Sequence, residues 1–216
     1  MRVVEIGGTG TIGTEAVRQL SDRHDIAVCA RKATAFEVDI TSAEAIGRLF
    51  EQTGTVDAVV CAAGEAMFKP LGDLSDEDIA IGLNSKLMGQ VNLVRIGLAH
   101  VQDGGSFTLT SGVTARRPIP GSVGYSLVNS AIEGFVRGAA LDMPRGIRLN
   151  AVSPQWVDVS LAMYGMDPAW GVAVETVARG YVASVEGSLT GAVIDAGWGW
   201  DPNTDAELLA AAGATA

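Results

Sequence analysis

Short blocks of consecutive apolar residues recur along the chain, separated by longer stretches whose apolar positions return every three or four residues. The blocks predict strands over residues 2–6, 26–30, 36–38, 57–61, 106–110, 147–152 and 192–195. Most are rich in Val, Ile and Leu without polar alternation, the pattern of parallel strands buried on both faces. The periodic stretches predict helices over 11–21, 42–52, 75–100, 123–143 and 174–184. Ser42 before Ala43-Glu44-Ala45 and Ser75 before Asp76-Glu77-Asp78 are start signals. A hydroxyl there accepts a first-turn N–H, and acids suit the positive end of the helix. Strand and helix in alternation imply an α/β fold: a doubly wound, mostly parallel seven-stranded sheet with helices on both faces. Only five residues separate Ala30 from Phe36. A crossover with its helix takes about ten to twelve, so one crossover helix is expected to be missing. No repeat, low-complexity tract or linker divides the chain, which reads as one domain over 1–216 with a tail from 201 to 216.

Composition narrows the picture. At 216 residues, 48 % apolar and 19 % charged, this is a core-forming chain. Fifteen Lys and Arg against 25 Asp and Glu give a net charge of −10. A surface of that sign repels phosphate backbones and anionic lipid, so neither nucleic acid nor membrane is the expected partner. Cys29 and Cys61 are too few for a disulfide framework; they read as core thiols in a reducing, cytoplasmic setting. The opening MRVVEIGG carries no apolar leader. His24 and His100 fall at helix ends and read as solvated caps, and no His, Cys and carboxylate cluster has metal-ligand spacing.

The first chemical signal follows the first strand. GGTGTIG places Gly7, Gly10 and Gly13 three residues apart at the entrance to a helix. Such a loop lets backbone N–H groups approach a pyrophosphate and seats it on the helix N-terminus. Proteins that prefer NAD usually carry an acid about 20 residues past the glycines for the ribose hydroxyls. Here that region reads Cys29-Ala30-Arg31-Lys32. Two cations suit a 2′-phosphate, so the expected cofactor is NADP(H).

Further motifs resemble the short-chain dehydrogenase/reductase family over nearly the whole chain. Val38-Asp39-Ile40-Thr41 resembles its adenine-contacting segment, and Cys61-Ala62-Ala63-Gly64 its Asn-Asn-Ala-Gly motif with both asparagines replaced. Leu109-Thr110-Ser111-Gly112 matches the serine segment, and Tyr125-Ser126-Leu127-Val128-Asn129 its Tyr-x-x-x-Lys. The run from Pro144 to Pro154, and Thr190-Gly191 with Asp195-Ala196-Gly197, are also similar to the family's closing segments. The resemblance implies cofactor contacts at Gly7, Thr9, Gly10, Thr11, Ile12, Gly13, Arg31, Lys32, Asp39, Ile40, Ala62, Ala63, Gly64, Pro154 and Val157. It also implies hydride transfer between nicotinamide and a carbonyl or alcohol, with Tyr125 exchanging the proton and Ser111 holding the substrate oxygen.

The departures matter as much. The glycines are spaced G-x-x-G-x-x-G where most simple members have G-x-x-x-G-x-G, Gln155 follows Pro154, and the catalytic lysine position is Asn129. A phenol has a pKa near 10, so about one in a thousand is ionised at pH 7. A neighbouring ammonium supplies the field that lowers it, which a neutral amide cannot do. In Asn84-Ser85-Lys86-Leu87-Met88-Gly89, the family's middle-helix asparagine falls on Lys86, as though Asn and Lys had exchanged places; Asn84 is the other candidate counterpart. Trp156, Met163, Tyr164, Met166 and Trp170 gather where members build a substrate lid, which suits an apolar substrate, whereas Trp198 and Trp200 read as interface or tail residues. The expectation is an oxidoreductase that assembles as a homodimer or homotetramer. Its rival is a silent NADP(H)-binding protein or regulatory subunit that lost the proton relay.

Overall fold

A computed structural model describes residues 1–163 and 165–197 of the chain. Its strands are β1 (Arg2–Ile6), β2 (Asp25–Ala30), β3 (Phe36–Glu37), β4 (Val56–Cys61), β5 (Val101–Thr110), β6 (Arg148–Pro154) and β7 (Val193–Ala196). They form one sheet in the order β3-β2-β1-β4-β5-β6-β7, and every neighbouring pair is parallel. The expected "mostly parallel" sheet is therefore parallel throughout the described residues. The order turns at β1, between β2 and β4, and a crevice opens at such a switch point.

The helices are α1 (Thr11–Ser21), α2 (Ala43–Thr53), α3 (Asp76–Ile81), α4 (Gly89–Gly97), α5 (Val123–Ala139), α6 (Asp158–Met163) and α7 (Val174–Glu186). Strand alternation divides them between the two faces. Val3, Ala58 and Val60 turn towards Leu20 of α1 and Tyr181 of α7. Val4, Val59 and Phe107 turn the other way, onto Phe50 of α2, Leu93 of α4 and Ile132 of α5. Residues of both sets are essentially fully buried, which explains strand runs with no polar alternation.

Three departures from the sequence pattern have local causes. The predicted helix over 75–100 is α3, a π-helical stretch Gly82–Met88, and α4. It starts where expected: Ser75 Oγ accepts the Asp78 N–H at 3.1 Å, and Asp78 Oδ2 accepts the Ser75 N–H at 2.9 Å. α5 ends at Ala139 and not at 143: the Leu141 and Asp142 N–H groups bond three residues back, to Gly138 and Ala139, in a tightened last turn. β5 begins at Val101, five residues early, because its pairing with β4 jumps from Val56↔Val101 to Ala58↔Ser106. The five-residue connection from β2 to β3 holds no helix, as expected. Ala33 adopts a left-handed φ of 64° there, and its N–H is held by Glu37 Oε1 at 3.1 Å. Tyr164, Trp198, Trp200 and the tail 201–216 lie outside the described residues. Among the described residues no helix is long and apolar enough to cross a membrane.

Candidate functional site

The ends of β1, β2 and β4 frame a groove of about 750 Å³. Its floor is the glycine loop. The Gly7 N–H donates to the Cys29 carbonyl at 2.9 Å, which ties the loop to β2. Gly7 has φ 90°, and a Cβ there would lie 2.9 Å from the Ala62 carbonyl carbon. A Cβ on Gly13 would run into the Gly7 carbonyl, so glycine at both positions lets α1 close on the loop. Gly10 is the N-cap of α1 and offers no side-chain acceptor, so the first-turn amides stay available to an anion.

Of the residues expected to hold a cofactor, Gly7, Thr9, Gly10, Arg31, Lys32, Asp39, Ile40, Ala62, Ala63 and Gly64 line this groove. Ile12, Pro154 and Val157 line the adjoining cavity, and Thr11 and Gly13 line neither, lying in the first turn of α1. Thr41 donates both its N–H (2.9 Å) and its hydroxyl (2.8 Å) to Asp39 Oδ1, which holds that carboxyl below its ordinary range. Arg31 pairs with Glu65, a groove residue that the sequence reading did not single out.

The second cavity, about 260 Å³, shares the Ala62–Gly64 wall with the groove. Lys86, Ser111, Thr114, Tyr125, Asn129 and Trp156 line it. The four expected catalytic residues are thus brought together from the π-helical stretch, the end of β5 and the first two turns of α5. Asn84 is exposed and lines the groove, whereas Lys86 is buried and lines the same cavity as Tyr125. A Cβ on Gly64 would lie 2.7 Å from the Lys86 Cα, so only glycine lets this backbone approach. Among the described residues no ion pair reaches the Lys86 ammonium. Burial lowers its pKa from 10.5 to about 8.

Asn129 and Ser111 face different partners. Asn129 Nδ2 donates to Thr114 Oγ1 at 3.0 Å, while its buried Oδ1 has no donor among the described residues. Ser111 Oγ donates towards Glu133 Oε1 at 3.1 Å and the Asn129 carbonyl at 3.3 Å. Glu133 is buried against Arg116 (3.5 Å) and Arg137 (3.4 Å). Ser111 therefore sits at the cavity with its hydroxyl donating into the protein.

The lid expectation holds only in part. Trp156 lines the cavity and packs edge-on against Phe68, with ring centroids 6.3 Å apart. Met163 is 78 % exposed, and neither Met166 nor Trp170 lines the cavity. The histidines are not solvated caps either: His24 Nε2 meets Glu186 Oε1 at 2.9 Å and His100 stacks on Phe50. Both thiols are buried, which raises each to about 12. The sequence reading missed Glu5, Thr114 and Glu133. Glu133 was open to inference, being one helical turn beyond Asn129 on the same face.

The sequence profile of a family described as enoyl-(acyl carrier protein) reductase matches residues 10–179. The hydroxynaphthalene reductase-like protein Arp2 of Metarhizium brunneum is 31 % identical over 173 residues, 74 % of this chain and 64 % of that protein. Hydroxynaphthalene reductase arp2 of Aspergillus fumigatus is 34 % identical over 137 residues, 61 % of this chain and 50 % of that protein. The chain thus spans between half and just under two thirds of these curated relatives. Among solved structures, the protein lin1944 from Listeria innocua matches with a TM-score of 0.87 at 37 % identity, over 90 % of this chain and 98 % of that one. A small-chain dehydrogenase in complex with NADPH matches with a TM-score of 0.80 at 27 % identity, over 90 % and 95 %.

Proposed function

Since this chain belongs to the short-chain dehydrogenase/reductase family, we propose that it is an NADP(H)-dependent oxidoreductase interconverting a carbonyl and its alcohol, with Tyr125 exchanging the proton. The observation that carries this reading is the meeting of Lys86, Tyr125 and Asn129 on one cavity that shares a wall with the dinucleotide groove.

The residues present fit the cofactor. The loop at Gly7 leaves room where a Cβ would collide, Arg31 and Lys32 suit a 2′-phosphate, and the orphaned Asn129 Oδ1 suits a ribose hydroxyl. When bound, the nicotinamide supplies or accepts the hydride at the carbonyl carbon. In reduction the Tyr125 O–H breaks and its proton goes to the substrate oxygen, leaving a phenolate. Lys86, with its pKa of about 8, is mostly charged at pH 7 and stabilises that phenolate. A unit charge about 4 Å away at an effective dielectric of 20 contributes about 4 kcal/mol. That matches the roughly three units separating a phenol from neutral pH. The cavity beside Trp156 and Phe68 favours an apolar substrate.

Two measurements test the reading. NADPH fluorescence titration is expected to give binding about 10-fold tighter than NADH, and Arg31→Asp should reverse the order. NADPH consumption with a panel of aromatic and aliphatic ketones and aldehydes should then show turnover. Tight binding with no turnover across the panel would favour the silent NADP(H)-binding reading, to which the inward-turned Ser111 proton lends support.

A further inference from the structure

Resting on the reading of Tyr125 as proton exchanger, we propose that Thr114, not Ser111, is the hydroxyl that holds the substrate oxygen, with Asn129 as its positioning residue. A carbonyl oxygen only accepts hydrogen bonds, and a hydroxyl has one proton to give. The acceptors around Ser111 Oγ are Glu133 Oε1 at 3.1 Å and the Asn129 carbonyl at 3.3 Å, and the backbone carbonyl has no proton to return. Turning Ser111 towards the cavity would strip a donor from a carboxyl group that is buried and faces two arginines.

Thr114 is arranged the other way round. It is 5 % exposed, in the short turn Val113–Ala115 that follows Gly112. Its oxygen accepts the Asn129 amide N–H at 3.0 Å, which fills one lone pair. Among the described residues its own hydroxyl donates no hydrogen bond, its one bond being the accepted one. An amide nitrogen can only donate, so the bond has one sense and leaves the hydroxyl proton to point elsewhere. Gly112 makes the approach possible: a Cβ there would lie 2.8 Å from Asn129 Nδ2. Thr114, Tyr125 and Asn129 line the same cavity.

The substrate oxygen thus receives two hydrogen bonds with different fates. As hydride reaches the carbon, the carbonyl π pair moves onto oxygen, the Tyr125 O–H breaks and the alcohol O–H forms. Thr114 keeps its proton and holds the growing negative charge. This also accounts for an amide at position 129, where an ammonium could donate to Thr114 but would offer no acceptor beside it.

The test compares Thr114→Val, Thr114→Ala, Thr114→Ser and Ser111→Ala by thermal melting, NADPH titration and NADPH consumption with 2-acetylnaphthalene and benzil. Removing one donor to a developing oxyanion costs about 100-fold or more in kcat. Thr114→Val and Thr114→Ala should show that loss with NADPH affinity within about 2-fold of wild type. Thr114→Ser should recover most of kcat, and Ser111→Ala should stay within about 5-fold. A readout that needs no turnover is the infrared carbonyl band of 2-acetylnaphthalene bound beside NADP+. It should shift down in wild type and Ser111→Ala, and return in Thr114→Val. A loss confined to Ser111→Ala overturns the proposal and leaves the reductase reading standing. A wild type that binds NADPH but reduces neither probe, nor any other panel carbonyl, overturns both.

Discussion

An ammonium buried without a counter-ion weakens the fold that carries it, and Lys86 is such a group. Its native pKa of about 8 lies below its ordinary 10.5. The unfolded chain therefore binds the extra proton between those values, and stability rises as pH climbs from about 8 to 10.5. Lys86→Met should melt higher than wild type at pH 7, by roughly 3 kcal/mol, with the gap closing towards pH 10. The same variant should lose turnover, more in oxidation than in reduction, because only oxidation starts from the phenolate. Wild-type reduction should decline above about pH 8, and the Lys86→Met profile should lack that limb. Glu5 in β1 is a second buried group with no partner. Neither of its oxygens has a donor among the described residues, and burial raises its pKa well above the usual 4.5. Its native form holds a proton that the unfolded chain releases above about 4.3, so stability falls as pH rises from there. Glu5→Gln keeps the shape and removes that dependence. Chemical denaturation at pH 5 and pH 7 should show the variant gaining on wild type at the higher value. Of these residues, the sequence displayed Lys86 because it interrupts a recognisable motif, whereas nothing in the pattern around Glu5 distinguishes it from a surface acid.

At the scale of elements, the glycine loop and α1 were fully legible, since turn, helix start and helix length follow from glycine spacing and apolar period. The middle helix was not. Apolar residues at three- and four-residue spacing fit an α-helix and a stretch with a π-widened turn equally well, so the widening was not legible. Within that stretch, Gly82 to Met88, Lys86 is buried at the cavity and Asn84 stands at the groove. The hydroxyl orientations after β5 were likewise hidden, because they depend on Glu133 and Asn129 from α5. The Arg31–Glu65 pair joins the end of β2 to the segment after β4. Both side chains are more than half exposed, so the pair is worth at most about 1 kcal/mol. On the proposed function, a 2′-phosphate would have to compete with Glu65 for Arg31. Glu65→Gln should tighten NADPH by about 2- to 5-fold and leave NADH unchanged, as read by paired fluorescence titrations.

For the whole molecule, strand positions and sheet class were legible because parallel strands buried on both faces leave an unmistakable apolar signature. Leu127 and Val123 stand exposed, four residues apart on α5, with Met88 exposed at the end of the π-helical stretch. If this face joins two copies, as family resemblance suggests, light scattering at micromolar concentration should give at least a dimer, and Leu127→Glu should shift it towards monomer. The sheet has one more consequence, in the order of events by which it forms. Among the described residues no two neighbouring strands are linked by a hairpin, so none of these pairs can zip up locally. Val3 has to find Ile26 on one side and Ala58 on the other before the centre of the sheet exists. Such distant pairings make a fold slow to reach and leave bare strand edges exposed meanwhile. Refolding from denaturant should therefore be slow and its yield should fall with protein concentration. A dinucleotide spanning the ends of β1, β2 and β4 would bind only after the slowest pairing is complete, locking the sheet after it forms and doing nothing to hasten it.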